Sequence, residues 1–264
     1  MPESLGREMN SPNTIKTRYL SSKLSWWPVL LFLPARLIFA FIAQALTAGF
    51  IALQGSTSPW LDAGSKWPVY STITDIFCLA SLALLTRREH IKLLDLVGVR
   101  DNAILKQLAW TPAYLLAVAP SAFLAHLITQ AYYGTSQPPM ISIVNLSPAG
   151  ALYSLLIWPV IWVITEELVY LGYLLPRIEV LSKKTWLAVI VVTFFWGFQH
   201  LGMPFILDWK YIVSRIVTAI VAVSGFTIVF VLWRRRLVPL IGCHYIADLL
   251  TAFLVGVSPL ISGT

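Results

Sequence analysis

The sequence predicts an all-α membrane protein of about seven transmembrane helices, N-terminus cytoplasmic, with its chemistry in the C-terminal half. Three observations carry that prediction. Of 264 residues, 58% are apolar or aromatic and 12% are charged, against about 25% charged in an ordinary soluble domain. The apolar residues fall into runs of spanning length, and Lys and Arg gather in alternate breaks between them. A mean hydropathy of +0.76 leaves too little polar surface to coat a soluble fold. The 11 Trp, 10 Tyr and 13 Phe argue against disorder, and two Cys are too few for a disulfide scaffold.

Residues 1–25 are polar, with Pro2, Pro12 and several Ser, and read as a mobile cytoplasmic tail. A hydrocarbon core about 30 Å thick requires roughly 20 apolar residues per helix. Seven runs meet that requirement, at 27–53, 67–85, 104–129, 149–175, 185–201, 212–232 and 237–257. Trp26, Trp27, Trp60, Trp67, Trp186, Trp209 and Trp233 lie near their ends, where interfacial aromatics are expected. The chain divides into the tail at 1–25, accessory helices at 26–148 and a core at 149–259, with no room for a soluble domain.

Orientation follows from the basic residues, which cytoplasmic connections retain. Arg7, Lys16, Arg18 and Lys23 precede the first span. Arg87, Arg88, Lys92, Arg100 and Lys106 lie around the second loop. Arg177, Lys183 and Lys184 follow the fourth span, and Arg234, Arg235 and Arg236 follow the sixth. The opposite set of loops holds Lys66 and Lys210. This alternation requires an odd number of spans and places the C-terminus outside.

The net charge of +7 is no nucleic-acid footprint, because the basic residues sit in short breaks and not on one exposed face. Cys78 and Cys243 lie inside apolar runs and read as buried thiols. The lipid bilayer is the expected surrounding, and no internal repeat is visible.

Ionisable residues inside the spans are few: Arg36, Asp75, His126, Glu166, Glu167, His200, Arg215, His244 and Asp248. Each costs a few kcal/mol unless paired or hydrated. Arg36 and Asp75 can pair with each other, and His126 can bond a carbonyl. Five of the nine fall in the fourth, fifth and seventh spans. Glu166 and Glu167 are adjacent, so their side chains point about 100° apart and serve different partners. His200 closes the run FFWGFQH. His244 and Asp248, four apart in CHYIAD, share one helical face. Taken singly these pieces also fit an interfacial acid pair, a hydrogen-bonded core histidine and a structural intrahelical bond.

Together they resemble the CPBP family, the CAAX-protease and bacteriocin-processing group of intramembrane endopeptidases. Its pattern EExxxR, FxxxH and HxxxN or HxxxD is met by EELVYL from Glu166, WGFQH from Trp196 and HYIAD from His244. Two positions depart: Leu171 stands where Arg is common, and Trp196 where Phe is. Arg215 and Arg177 are candidates to replace the missing cation.

The resemblance implies hydrolysis of a peptide bond in a membrane-associated protein or peptide precursor, in a prokaryotic cell (inner) membrane. It implies Glu166 as general base on a water that His200 holds, and His244 with Asp248 at the developing oxyanion. Glu167 is then the supporting carboxylate. No cofactor is implied; two His and a Glu are also a donor set for zinc, held as the alternative. A proton-coupled transporter and a catalytically silent CPBP-like scaffold are the competing functions, the latter because of Leu171. The absence of duplicated halves counts against the transporter.

Overall fold

Prolines mark where many of these helices begin. Pro59, Pro68, Pro112, Pro148, Pro159 and Pro176 all stand in first turns, where a missing N–H breaks no helical bond. The computed structural model describes residues 12–21, 24–98, 104–135, 146–233 and 235–254, and among these no strand occurs. The helices are α1 (Pro12–Leu20), α2 (Trp26–Phe32), α3 (Ala35–Leu53), α4 (Pro59–Gly64), α5 (Trp67–Arg88), α6 (Ile104–Leu108) and α7 (Thr111–Tyr133). They continue with α8 (Pro148–Leu156), α9 (Trp158–Glu167), α10 (Leu175–Ser182), α11 (Thr185–Gln199), α12 (Trp209–Leu232) and α13 (Leu237–Ala252).

Among the described residues six stretches are long and apolar enough to cross a membrane: Trp26–Leu53, Trp67–Arg88, Thr111–Tyr133, Pro148–Ser182, Thr185–Gly202 and Trp209–Leu232. A shorter apolar helix, α13, stands at the predicted seventh run, so about seven helices fits. The third span differs from its predicted start. Residues 104–108 form the separate helix α6, and Pro112 starts the long helix afresh at Thr111. Residues 255–257 of the predicted seventh span lie outside the described residues. Within the tail, α1 packs on α10 and buries Ile15 completely, while residues 1–11, 22 and 23 lie outside the described residues. One buried isoleucine ties down a segment whose composition alone reads as mobile.

The span Pro148–Ser182 is 35 residues long, well beyond the roughly 20 that a bilayer requires. It is broken at Ile157, ahead of Pro159. After Glu167 the chain winds into a wider π-helical stretch, Leu168–Leu174, all of it buried. Such insertions are uncommon and favour functional positions. Here the stretch directly follows the two glutamates and ends against Pro176.

Close helix packing fixes the remaining geometry. α9 lies against α5 and α13, while α11 packs on α12 and α12 on α7. Small residues allow these approaches, as expected where lipid offers no hydrophobic drive between helices. A Cβ at Gly197 of α11 would sit 2.6 Å from the backbone of Ile220 on α12, and one at Gly225 would overlap Ser121 of α7.

Trp67 is not interfacial as its place at a span end suggested. It is 4% exposed and meets Trp158 edge to face, with Trp162 completing the cluster. By contrast Trp27, Trp186 and Trp209 are exposed, as a belt at the headgroup level requires. Cys78 and Cys243 are free and buried.

Candidate active site

Glu166 and Glu167 end α9, His200 follows the last turn of α11, and His244 and Asp248 lie on α13. Packing brings all five together. The Glu166 carboxylate lies between two imidazoles, with Oε1 3.9 Å from His200 Nε2 and Oε2 3.7 Å from His244 Nε2. Glu167 points elsewhere, as the 100° step between neighbours demands, and its Oε1 is 3.2 Å from His244 Nδ1. Asp248 Oδ2 is 3.5 Å from His244 Nε2, so the four-residue spacing does place the pair on one face. Three carboxylates therefore converge on one imidazole.

His200 is set by its own helix. Its Nδ1 is 2.9 Å from the carbonyl oxygen of Trp196, one turn earlier. The Trp196 carbonyl only accepts and calls for the ring proton on Nδ1, whereas the Gln199 amide nitrogen, also 2.9 Å from Nδ1, only donates and calls for a lone pair there, so the ring's tautomer follows from which of the two bonds is made.

The Glu166 carboxylate is gripped on both oxygens. Trp196 Nε1 donates to Oε2 at 2.6 Å, and Gln199 Nε2 donates to Oε1 at 2.7 Å. Trp196 thus does more than preserve an aromatic wall, since its indole N–H supplies a donor that Phe lacks. The Arg36 guanidinium is the third partner. Its Nη1 makes an ion-pair contact with Oε1 at 2.5 Å that lacks hydrogen-bond alignment, while Nη2 donates to Asp75 at 2.6 Å. The expected Arg36–Asp75 pair is present, and the same guanidinium also reaches the candidate base.

The two arginines considered as replacements for the motif's cation do other work. Arg215 donates from Nε to the His200 carbonyl and from Nη2 to that of Met203, bracing the turn that carries His200. Arg177 grips Glu89 with two bonds of 2.7 Å and lies over the Tyr173 ring. Leu171 itself is fully buried among apolar neighbours.

A cavity of about 320 Å³ opens onto the group and is lined by His200, His244, Asp248, Arg215 and the Trp67, Trp158 and Trp162 cluster. His126 of α7 also lines it and stacks on Phe123. Glu166 is wholly buried just behind the histidines. The arrangement offers a carboxylate acceptor, a ring nitrogen for a water and an imidazole donor around one space. Among the described residues no group of three His, Cys, Asp or Glu is placed to hold a metal ion.

Sequence spacing did not single out Arg36, Gln199 or Trp196 as partners of Glu166. The available signal for Arg36 was its charge deep within an apolar run. Comparison with curated proteins and with solved structures returns no match. Residues 148–250, less than half of the chain but including all five acids and histidines, match the family model for type II CAAX prenyl endopeptidases of the Rce1-like kind, a match consistent with the CPBP resemblance.

Proposed function

We propose that the protein hydrolyses a peptide bond in a membrane-associated protein or peptide precursor, with Glu166 as general base and no metal. The observation that carries this reading is the position of the Glu166 carboxylate between His200 Nε2 and His244 Nε2, at 3.9 and 3.7 Å, behind the cavity. A water held by His200 gives a proton to Glu166 as its oxygen attacks the scissile carbonyl carbon. The carbonyl oxygen takes up negative charge, and His244, donating from Nε2, stabilises it. Collapse breaks the C–N bond, and Glu166 returns the proton to the leaving amine. Glu167 and Asp248 orient His244 from its two nitrogens.

The donor set supports the metal-free form. The Glu166 carboxylate already faces the Arg36 cation at 2.5 Å, which counts against a second cation such as zinc at the same group. Chelation is therefore expected to leave cleavage intact, and activity lost to a chelator and restored by zinc would reverse this reading.

The name of the matched family makes a prenylated C-terminal peptide the first substrate to try. The test is comparative peptide profiling of membranes carrying the wild-type chain or Glu166→Gln. Products present with the first and missing with the second are expected; identical profiles would remove the glutamate mechanism.

A further inference from the structure

We propose that Arg36 is a positioning residue for Glu166, supplying from an accessory helix the cation that the EExxxR pattern would place at Leu171. The inference rests on Glu166 being the general base.

The guanidinium is 1% exposed and sits between two carboxylates contributed by different helices, Asp75 of α5 and Glu166 of α9. Trp162 covers its face, 4.3 Å from ring centroid to Cζ. A buried guanidinium that needed only neutralisation would be satisfied by Asp75, whose bond to Nη2 is 2.6 Å and well aligned. The second arm nevertheless reaches the one glutamate flanked by both site histidines. Its 2.5 Å contact falls on Oε1, the oxygen facing His200, which Gln199 also holds. Trp196 fixes the other oxygen, so the carboxylate plane cannot rotate without breaking one of three contacts.

Among the described residues no other Lys or Arg comes within 4 Å of Glu166. Arg177 is committed to Glu89, and Arg215 to two backbone carbonyls. Leu171 offers no charge, and its buried place in the apolar core accepts none. A planar guanidinium is suited to this task because its two ends reach two carboxylates at once, Nη2 donating to Asp75 while Nη1 stays in ion-pair contact with Glu166, which the single ammonium of a lysine does not. Arg36 and Asp75 both lie outside residues 148–250, so the matched domain borrows part of its site from the preceding helices.

The test compares purified wild type, Arg36→Gln combined with Asp75→Asn, Arg36→Lys and Glu166→Gln in lipid, on a cleavable peptide. The paired variant removes the cation together with its other carboxylate, so no new unpaired charge is left at position 75. The expected result is normal accumulation, KM within about threefold of wild type and kcat lower by about 100-fold, the scale of a slightly misplaced reacting group. Arg36→Lys recovers part of the rate, ending about tenfold below wild type with normal KM, because charge without the fork holds one partner. If the paired variant does not accumulate, Arg36→Lys decides alone, and a wild-type kcat there overturns the proposal. A paired variant within threefold of wild-type kcat, beside an inactive Glu166→Gln, overturns the role of Arg36 and leaves the glutamate reading standing. A loss of activity that vanishes when rates are normalised to folded enzyme marks packing alone and also overturns it. Cleavage by Glu166→Gln overturns the glutamate reading itself, and the role of Arg36 with it.

Discussion

His244 is constrained from both sides of its ring, since Glu167 holds one ring nitrogen while Asp248 and Glu166 approach the other. As the proposed oxyanion donor it should be costly to remove: His244→Ala is expected to lower kcat by about 100- to 1,000-fold. Asp248→Asn keeps the volume and a polar tip beside Nε2, so a smaller loss, about tenfold, is expected. Steady-state kinetics on one peptide would show the order. Equal losses would mean that Asp248 does more than orient the ring. The His244–Asp248 pairing was legible in the sequence, because a spacing of four on one helix fixes proximity before any packing is known. The contact between Arg36 and Glu166 was not. It joins residues far apart in the chain, and which faces of two helices meet is decided by rotation and tilt that local spacing does not encode.

At the scale of elements, the crossing of α11 on α12 places His200. Gly197 is the point of closest approach, and a methyl there would press on Ile220. Gly197→Ala is expected to destabilise the protein by about 1–3 kcal/mol, the usual cost of overpacking. It should also slow cleavage, because His200 lies one turn further along. Gly49 of α3 is the control, since an added Cβ there meets nothing within 4 Å. Thermal unfolding in detergent would separate the two, and equal melting temperatures would contradict the close crossing. The helices were largely legible as apolar runs, because a bilayer admits few other structures. The break between α6 and α7 and the π-helical stretch after Glu167 were not. The first does have a signal in Pro112, which the apolar run from 104 to 129 masks, while the second carries no compositional signature that would set it apart from continuous helix.

For the whole molecule, the distribution of basic residues predicts that the N-terminus and the even-numbered loops lie in the cytoplasm. Native thiols do not obscure a labelling test, since Cys78 and Cys243 are buried. A cysteine introduced at exposed Thr57, in the first loop, should react with a membrane-impermeant reagent in intact cells. One at exposed Lys183, after α10, should react only after permeabilisation. The reverse pattern would invert the topology. Function was legible at the level of family, because three short motifs in order survive on separate spans. The share of the accessory helices in the site was hidden, since it resides in contacts that α3 and α5 make with α9.

The measurement that bears most directly on the glutamate mechanism is the turnover of purified Glu166→Gln against wild type, in lipid, on a peptide the wild type cleaves. General-base loss is expected to lower kcat by at least about 100-fold with the protein folded and substrate still bound. Turnover by the folded variant at the wild-type rate would contradict Glu166 as the base.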